Sequence, residues 1–344
     1  MRWDWMYVIY DRNCSQLINT RKEVSPMKAV VLNEVGAKLS YLDYPDPSPK
    51  GSETVITVTA CGVCHSDLHV VEGIYPSPLP MIMGHEVVGI HDELGPVMVY
   101  PCWGCLKADC WACSSGQEMI CPNATEAGLF RNGGYAEKML IKNKSYLIPL
   151  GDLDPLSAAP LACGGLTAYR AVSHTLPNLT KKSRVLVIGA GGLGQFGIQF
   201  LKIQSDAKVI ATDLSSDKLQ RALAVGADEV ASPTELDGTF DAIVDFVGAQ
   251  NTLELMAKLV ARQGIAVLVG IFGGKIPFGF GAVPHEARFM TSIWGTQGQL
   301  GELLDLANKH ELKHSVEAIP LANAQEAHER LIAGTVAGRI ALVP

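Results

Sequence analysis

The run Gly189-Ala190-Gly191-Gly192-Leu193-Gly194 constrains this chain more than any other stretch of it. It follows the apolar segment 184–188 without a spacer and opens a helical pattern over 193–203. Each glycine then has its own reason. Gly189 permits a tight turn, Gly191 lets a ligand approach the backbone, and Gly194 lets the helix pack closely on the strand. The helix start at Gly192 and Leu193 presents free N–H groups to phosphate. Asp213 ends the next strand, 24 residues after Gly189. A carboxylate there accepts from both hydroxyls of a ribose and repels a phosphate placed on it. The pattern calls for a dinucleotide, and for NAD rather than NADP.

The surrounding rhythm agrees. Strands are predicted at 184–188, 208–212, 240–246 and 265–269, with helices at 193–203, 217–225 (ending at Gly226) and 252–259. Repeated βα units imply a doubly wound, mostly parallel α/β sheet. Gly248 and Gly270 follow two of these strands, where loops border one crevice. Spacing leaves each open as a cofactor contact or an ordinary turn glycine. Before residue 166 the pattern is different: short strands at 27–32, 55–59 and 97–100, separated by Gly and Pro, read as a β-rich domain. Beyond 296 come helices at 300–310 and 324–333 and a final strand at 339–343.

Charge and hydropathy exclude several classes. The 344 residues are 48% hydrophobic and 18% charged, with a formal net charge of −7. That is the profile of a folded chain, and without a basic block it offers nothing to nucleic acid or an anionic membrane. No apolar run is long enough to span a bilayer. The first residues carry Trp3, Trp5 and Tyr7 and then polar side chains, without the basic-then-apolar order of a secretory signal. Residues 1–26 read as an extension ahead of the fold, and the location as cytoplasmic.

Nine cysteines, without a secretory signal, suggest metal ligation over disulfides. Five lie between 102 and 121. Cys102-x2-Cys105 precedes Cys110-x2-Cys113 and then Cys121, so five thiols compete for the four places of a tetrahedral site. A second set is more dispersed. Cys64 and His85 are 21 residues apart, and Cys163 stands near the domain change. Together they could be the three protein ligands of a zinc with an open fourth position. On spacing alone they could equally be three separately buried residues.

These residues resemble the medium-chain zinc-dependent alcohol dehydrogenases, and within them the bacterial NAD-dependent secondary-alcohol enzymes. The resemblance spans residues 27–344 and rests on Cys61-Gly62-Val63-Cys64-His65-Ser66-Asp67-Leu68-His69, Gly84-His85-Glu86, Trp103-Gly104-Cys105, Pro160-Leu161-Ala162-Cys163 and the glycine run. It implies a GroES-like catalytic barrel at 27–165, continued by 297–344, and a Rossmann-type NAD domain at 166–296. It implies Cys64, His85 and Cys163 as catalytic zinc ligands, with Cys61 a neighbour only. Glu86 would stand just behind the metal and Asp67 would orient the ligand histidine. Ser66 would touch the substrate oxygen, and His69 would end a proton relay that runs through a ribose hydroxyl. His65 and Arg339 would approach the pyrophosphate, Thr167 the nicotinamide, and Lys218 the adenosine ribose beside Asp213. The structural zinc would take Cys105, Cys110, Cys113 and Cys121, with Cys102 as rival to Cys105. The activity implied is reversible hydride transfer between a primary or secondary alcohol and NAD, with two zincs per subunit in a homodimer or homotetramer. A polyol or amino-alcohol substrate, or an impaired NAD- and zinc-binding protein, are the alternatives. Tyr75 and Trp294 are candidate pocket walls, and 291–294 a candidate subunit edge.

Two segments are shorter than the resembled pattern. One follows Gly84-His85-Glu86, around Gly95 and Pro96. The other links Val230 to Phe240. The first predicts a barrel with part of its wall missing and strand edges exposed.

Overall fold

The computed structural model describes residues 26–344. The extension read at 1–26 lies outside the described residues except for Pro26. Six parallel strands form one sheet in the order Glu229–Ala231, Lys208–Thr212, Arg184–Ile188, Phe240–Asp245, Val260–Leu268, Arg288–Thr291. The strand Arg184–Ile188 shows why residues 185–188 are all apolar. Val185 and Val187 face one core with Phe196 and Phe200 of the helix Gly192–Gln204. Leu186 and Ile188 face a second core with Leu253, Met256 and Leu259 of the helix Gln250–Leu259. Helices cover both faces, so neither set of side chains can be polar. The strand order reverses between Arg184–Ile188 and Phe240–Asp245, which opens a crevice at their carboxyl ends.

Element ends moved where capping decided them. The helix predicted from residue 300 begins at Gln297, because Thr296 and Gln299 form a reciprocal capping box: each side chain bonds the other's backbone N–H at 3.0 Å. The strand predicted from 265 begins at Val260, directly after the preceding helix ends at Leu259.

The β-rich part holds a three-stranded sheet, with Met27–Leu32 between Ser40–Tyr44 and Met81–Ile82. A larger sheet runs Leu147–Pro149, Gly95–Val99, Glu86–His91, Thr54–Val63, Arg339–Val343, Val316–Pro320, and Lys138–Ile141 also pairs with Thr54–Val63. The last strand of the chain thus pairs with an early one, Ile340 opposite Val63 and Leu342 opposite Cys61, and Val316–Pro320 adds beside it at the edge.

The missing wall is corrected by this arrangement. Glu86–His91 turns through residues 92–94 straight into Gly95–Val99, with His91 opposite Gly95 and Val88 opposite Met98. The second strand then pairs with Leu147–Pro149. Gly95 takes φ +71° at the turn, a value glycine adopts without strain. The other short link also reaches. Residues 232–239 make the link, and the Arg184 guanidinium donates to the carbonyls of Asp237 and Thr239 at 3.3 Å. Among the described residues, no helix is long and apolar enough to cross a membrane.

Candidate active site

The helix His65–Val71 begins at Cys64, and Asp67 in its first turn accepts the Cys64 backbone N–H at 2.9 Å. That contact fixes the loop carrying Cys64. His85 lies between Gly84, at φ +91°, and the strand Glu86–His91. Its Nδ1 donates to Asp67 Oδ1 at 2.9 Å, with both side chains fully buried. The carboxylate assigns the proton to Nδ1, so Nε2 presents a lone pair. Nε2 is itself buried with no partner among the described residues. Cys163 enters at the start of the helix Gly164–Ser173. The ligand atoms of Cys64, His85, Glu86 and Cys163 all lie within 4.8 Å of one another.

A buried imidazole lone pair facing two thiols and a carboxylate suits zinc. The neighbouring Cys163 thiol holds Cys64 well below the ordinary thiol range, and Cys163 rises in turn. Glu86 has a second partner, since Arg339 donates to its two oxygens at 2.5 and 2.7 Å. Burial pushes the Glu86 carboxyl up to about 7 against the pull of that guanidinium. Gly62 makes room for the pair: a Cβ there would stand 2.0 Å from Glu86 Oε2. Cys61 is buried next to these groups but outside the cluster.

The second cluster gathers Cys105, Cys110, Cys113 and Cys121. Cys105 and Cys113 have sulfurs 3.7 Å apart, as do Cys110 and Cys121. Two sulfurs each about 2.3 Å from a tetrahedral zinc stand about 3.8 Å apart, so the cage has the size of a zinc site. Cys102, the rival to Cys105, lies outside this group. It is buried in the strand Cys102–Trp103, paired with Glu126, and burial raises its thiol well above the ordinary range.

At the crevice, Gly189 takes φ +87°, and a Cβ on Gly194 would lie 1.9 Å from the Gly189 carbonyl. Gly191 is different: a Cβ there meets nothing within 4 Å. Protein packing does not require glycine at 191, whereas a ligand approaching the backbone would. Asp213 accepts the N–H of Ala190 at 2.9 Å and of Ser215 at 3.0 Å, and Lys218 Nζ stands 3.9 Å away. A cleft beside the fingerprint is lined by Val63, His65, Gly192, Leu193, Leu331 and Arg339. Gly248 and Gly270 prove to be packed on each other: a Cβ on Gly248 would lie 2.1 Å from Gly270 O, and one on Gly270 2.0 Å from the Val247 carbonyl carbon. Their mutual approach requires glycine at both, and Val247 in turn abuts Gly189.

The remaining predicted residues surround the metal cluster. Ser66 follows Cys64 by two residues on the helix His65–Val71. His69 lies one turn on, partly exposed, with Nδ1 3.4 Å from Glu72 and its ring 5.9 Å from Tyr75. Thr167 sits one turn after Cys163, its N–H on the Cys163 carbonyl at 2.8 Å. Trp294 packs edge-on against His85 at 5.6 Å between centroids. Sequence reasoning missed Tyr135 and His328, which stand behind Asp67. The Gly133-Gly134 pair ahead of Tyr135 signals close backbone packing; nothing in the sequence singles out His328.

Residues 50–152 match the alcohol dehydrogenase GroES-like domain family, and residues 192–309 the zinc-binding dehydrogenase family. A curated relative, an NAD-dependent alcohol dehydrogenase of Sulfurisphaera tokodaii, is 33% identical over 92% of this chain and all of its own length. Among solved structures, the alcohol dehydrogenase of the archaeon Aeropyrum pernix is 32% identical with a TM-score of 0.82, covering 92% of this chain and 100% of that one. Acetophenone reductase of Geotrichum candidum, in complex with NAD, is 30% identical with a TM-score of 0.83, covering 93% and 98%. With both zinc cages and the fingerprint already in place, these likenesses mean that the chain belongs to the medium-chain zinc-dependent alcohol dehydrogenase family.

Proposed function

We propose that the chain is an enzyme that moves hydride reversibly between NAD and a primary or secondary alcohol, giving the aldehyde or ketone. One observation carries the reading: Cys64, His85, Glu86 and Cys163 converge within 4.8 Å, beside a cleft whose wall includes the fingerprint's Gly192 and Leu193. Substrate and cofactor are thereby held in one cleft, which converts a bimolecular encounter into a positioned one. Zinc supplies Lewis-acid polarisation of the substrate oxygen when bound, and NAD accepts the hydride.

The chain's own residues have the following parts. Asp67 holds His85 with Nε2 facing the cluster. Ser66 would take the alcohol proton, and His69 at the helix's outer end would pass it to water. His65 and the free N–H groups at Gly192 and Leu193 bind the pyrophosphate, with Arg339 behind them. Asp213 and Lys218 hold the adenosine ribose, and Thr167 meets the nicotinamide side. Glu86, backed by Arg339, lies close enough to exchange with the three metal ligands. Cys105, Cys110, Cys113 and Cys121 staple their loop through the second zinc.

We assign 27–165 with 297–344 to the catalytic domain and 166–296 to the cofactor domain. The outer edge of Arg288–Thr291 has no partner strand among the described residues. Phe278, Phe280 and Ile293 are exposed nearby in sequence, which favours a second copy there and a dimer or a pair of dimers. Six reduced cysteines in the two cages favour the cytoplasm. The test is metal content with NADH formation over a panel of alcohols and polyols. About two zincs per chain with alcohol-dependent reduction of NAD, not NADP, is expected. Zinc without any turnover would identify an impaired binding protein instead.

A further inference from the structure

Behind the metal ligand His85 lies a chain of buried polar groups that the reaction as described does not use. Asp67 receives three donors: His85 Nδ1 on Oδ1 at 2.9 Å, and the Cys64 N–H at 2.9 Å and the Tyr135 hydroxyl at 3.1 Å, both on Oδ2. The Tyr135 oxygen lies in turn 3.3 Å from His328 Nε2. Tyr135, Asp67 and His328 are each at most 2% exposed. A tyrosine hydroxyl has one proton, and the carboxylate can only accept it. His328 must therefore donate from Nε2, which leaves its Nδ1 bare. That nitrogen is buried without a partner among the described residues. Burial also holds the His328 imidazole below its ordinary range, in keeping with a single ring proton.

The chain is held stiffly. The Tyr135 N–H donates to the Met83 carbonyl at 2.9 Å, and its carbonyl accepts from Val30 at 2.8 Å. Its ring lies against Gly84, where a Cβ would come within 2.2 Å of Cδ1. Tyr135 thus touches the backbone just ahead of His85 and the carboxylate that orients the His85 ring. His328 comes from the helix Ala324–Ile332 near the end of the chain, so a tail residue reaches the metal site through two intermediaries.

We propose that Tyr135 and His328 are positioning residues for the catalytic zinc: His328 directs the Tyr135 proton onto Asp67, and Asp67 so loaded fixes the angle and tautomer of His85. The proposal rests on the zinc reading of the Cys64–His85–Cys163 cluster. Groups that orient a ligand histidine through its carboxylate are each worth about 10- to 100-fold in metal affinity.

The test is chelator competition on the purified holoenzyme, which resolves the two zincs of each chain, together with the visible spectrum after cobalt exchange. Tyr135→Phe and His328→Leu are each expected to loosen the catalytic zinc about tenfold or more and shift the cobalt bands, with the four-cysteine zinc retained. His328→Gln keeps a donor near the Nε2 position and is expected to hold zinc as the wild type does. The double variant Tyr135→Phe/His328→Leu is expected to be no worse than Tyr135→Phe, because His328 acts only through the tyrosine. Wild-type affinity in Tyr135→Phe overturns the proposal. So does a His328→Gln variant as impaired as His328→Leu, or losses that add in the double variant. If His328→Leu fails to fold, Tyr135→Phe and His328→Gln decide between the same outcomes. A wild-type chain holding zinc only at the four-cysteine cage would refute the underlying zinc reading, and the proposal would fall with it.

Discussion

Replacing His91 by leucine should loosen the hairpin that closes the barrel where the sequence is short. His91 is 4% exposed and ends the strand Glu86–His91. Its Nδ1 accepts the N–H groups of Glu93 at 3.2 Å and Leu94 at 3.3 Å, and its Nε2 pairs with Thr54 Oγ1 at 2.9 Å. With Nδ1 accepting twice, Nε2 holds the proton and donates to the threonine. The ring therefore ties the turn to itself and to the neighbouring strand. Three hydrogen bonds at about 0.5–1.5 kcal/mol each amount to about 3 kcal/mol. A leucine would recover about 1 kcal/mol through its own burial. The net loss of about 2 kcal/mol corresponds to roughly 30-fold in the equilibrium for opening the hairpin. Native-state amide exchange reads this directly at 88–91 and 97–99, while amides of the strand Arg184–Ile188 serve as the internal control. His91→Gln retains a side-chain acceptor and should lose less. Protection at 97–99 that changes less than about threefold in His91→Leu would refute the claim that this ring holds the shortened turn.

Three further outcomes follow from the same geometry. Cys105→Ser should lower zinc from about two to about one per chain by mass spectrometry, whereas Cys102→Ala should leave the count unchanged. Asp213→Ala removes the acceptor for the ribose hydroxyls, and kcat/KM with NAD should fall about tenfold or more while the relative use of NADP rises. His328 is kept below its ordinary value of 6.5 by burial, so the native state holds it neutral while the unfolded chain takes up a proton as pH falls through 6.5. The unfolded state then binds more protons, and stability is lost as pH drops from about 6.5 towards the lowered folded value. Denaturation midpoints between pH 7.5 and 5.5 should show that decline in the wild type and a flatter profile in His328→Gln.

The cofactor half of the molecule was legible in the chain because its determinants are local. A buried parallel strand must be apolar on both faces, a turn beside phosphate must be glycine, and an acid must follow one βα unit later. Residues 184–213 carry all of these in order, and the structure places Asp213 on the turn at Ala190. The four-cysteine cage was nearly legible for the same reason, its ligands lying within one loop. Even so, the spacing does not contain what separates Cys105 from Cys102, which pairs with Glu126 outside the group of four.

The catalytic cluster was not local. Cys64, His85 and Cys163 come from three separate elements, and spacing left them open as three unrelated buried residues. Only tertiary packing brings their ligand atoms within 4.8 Å, and only the buried Asp67 contact fixes which imidazole nitrogen faces inward. The short segment after Glu86 shows the opposite case, where a deletion read as a hole is closed by a tight hairpin held by His91. The sequence by itself determined what sort of chemistry the chain can hold, since that depends on residue types and short-range turns. Which residues hold it was decided by long-range pairing, above all by a tail strand beside Thr54–Val63 that brings Arg339 to Glu86 and by a tail helix that brings His328 to Tyr135.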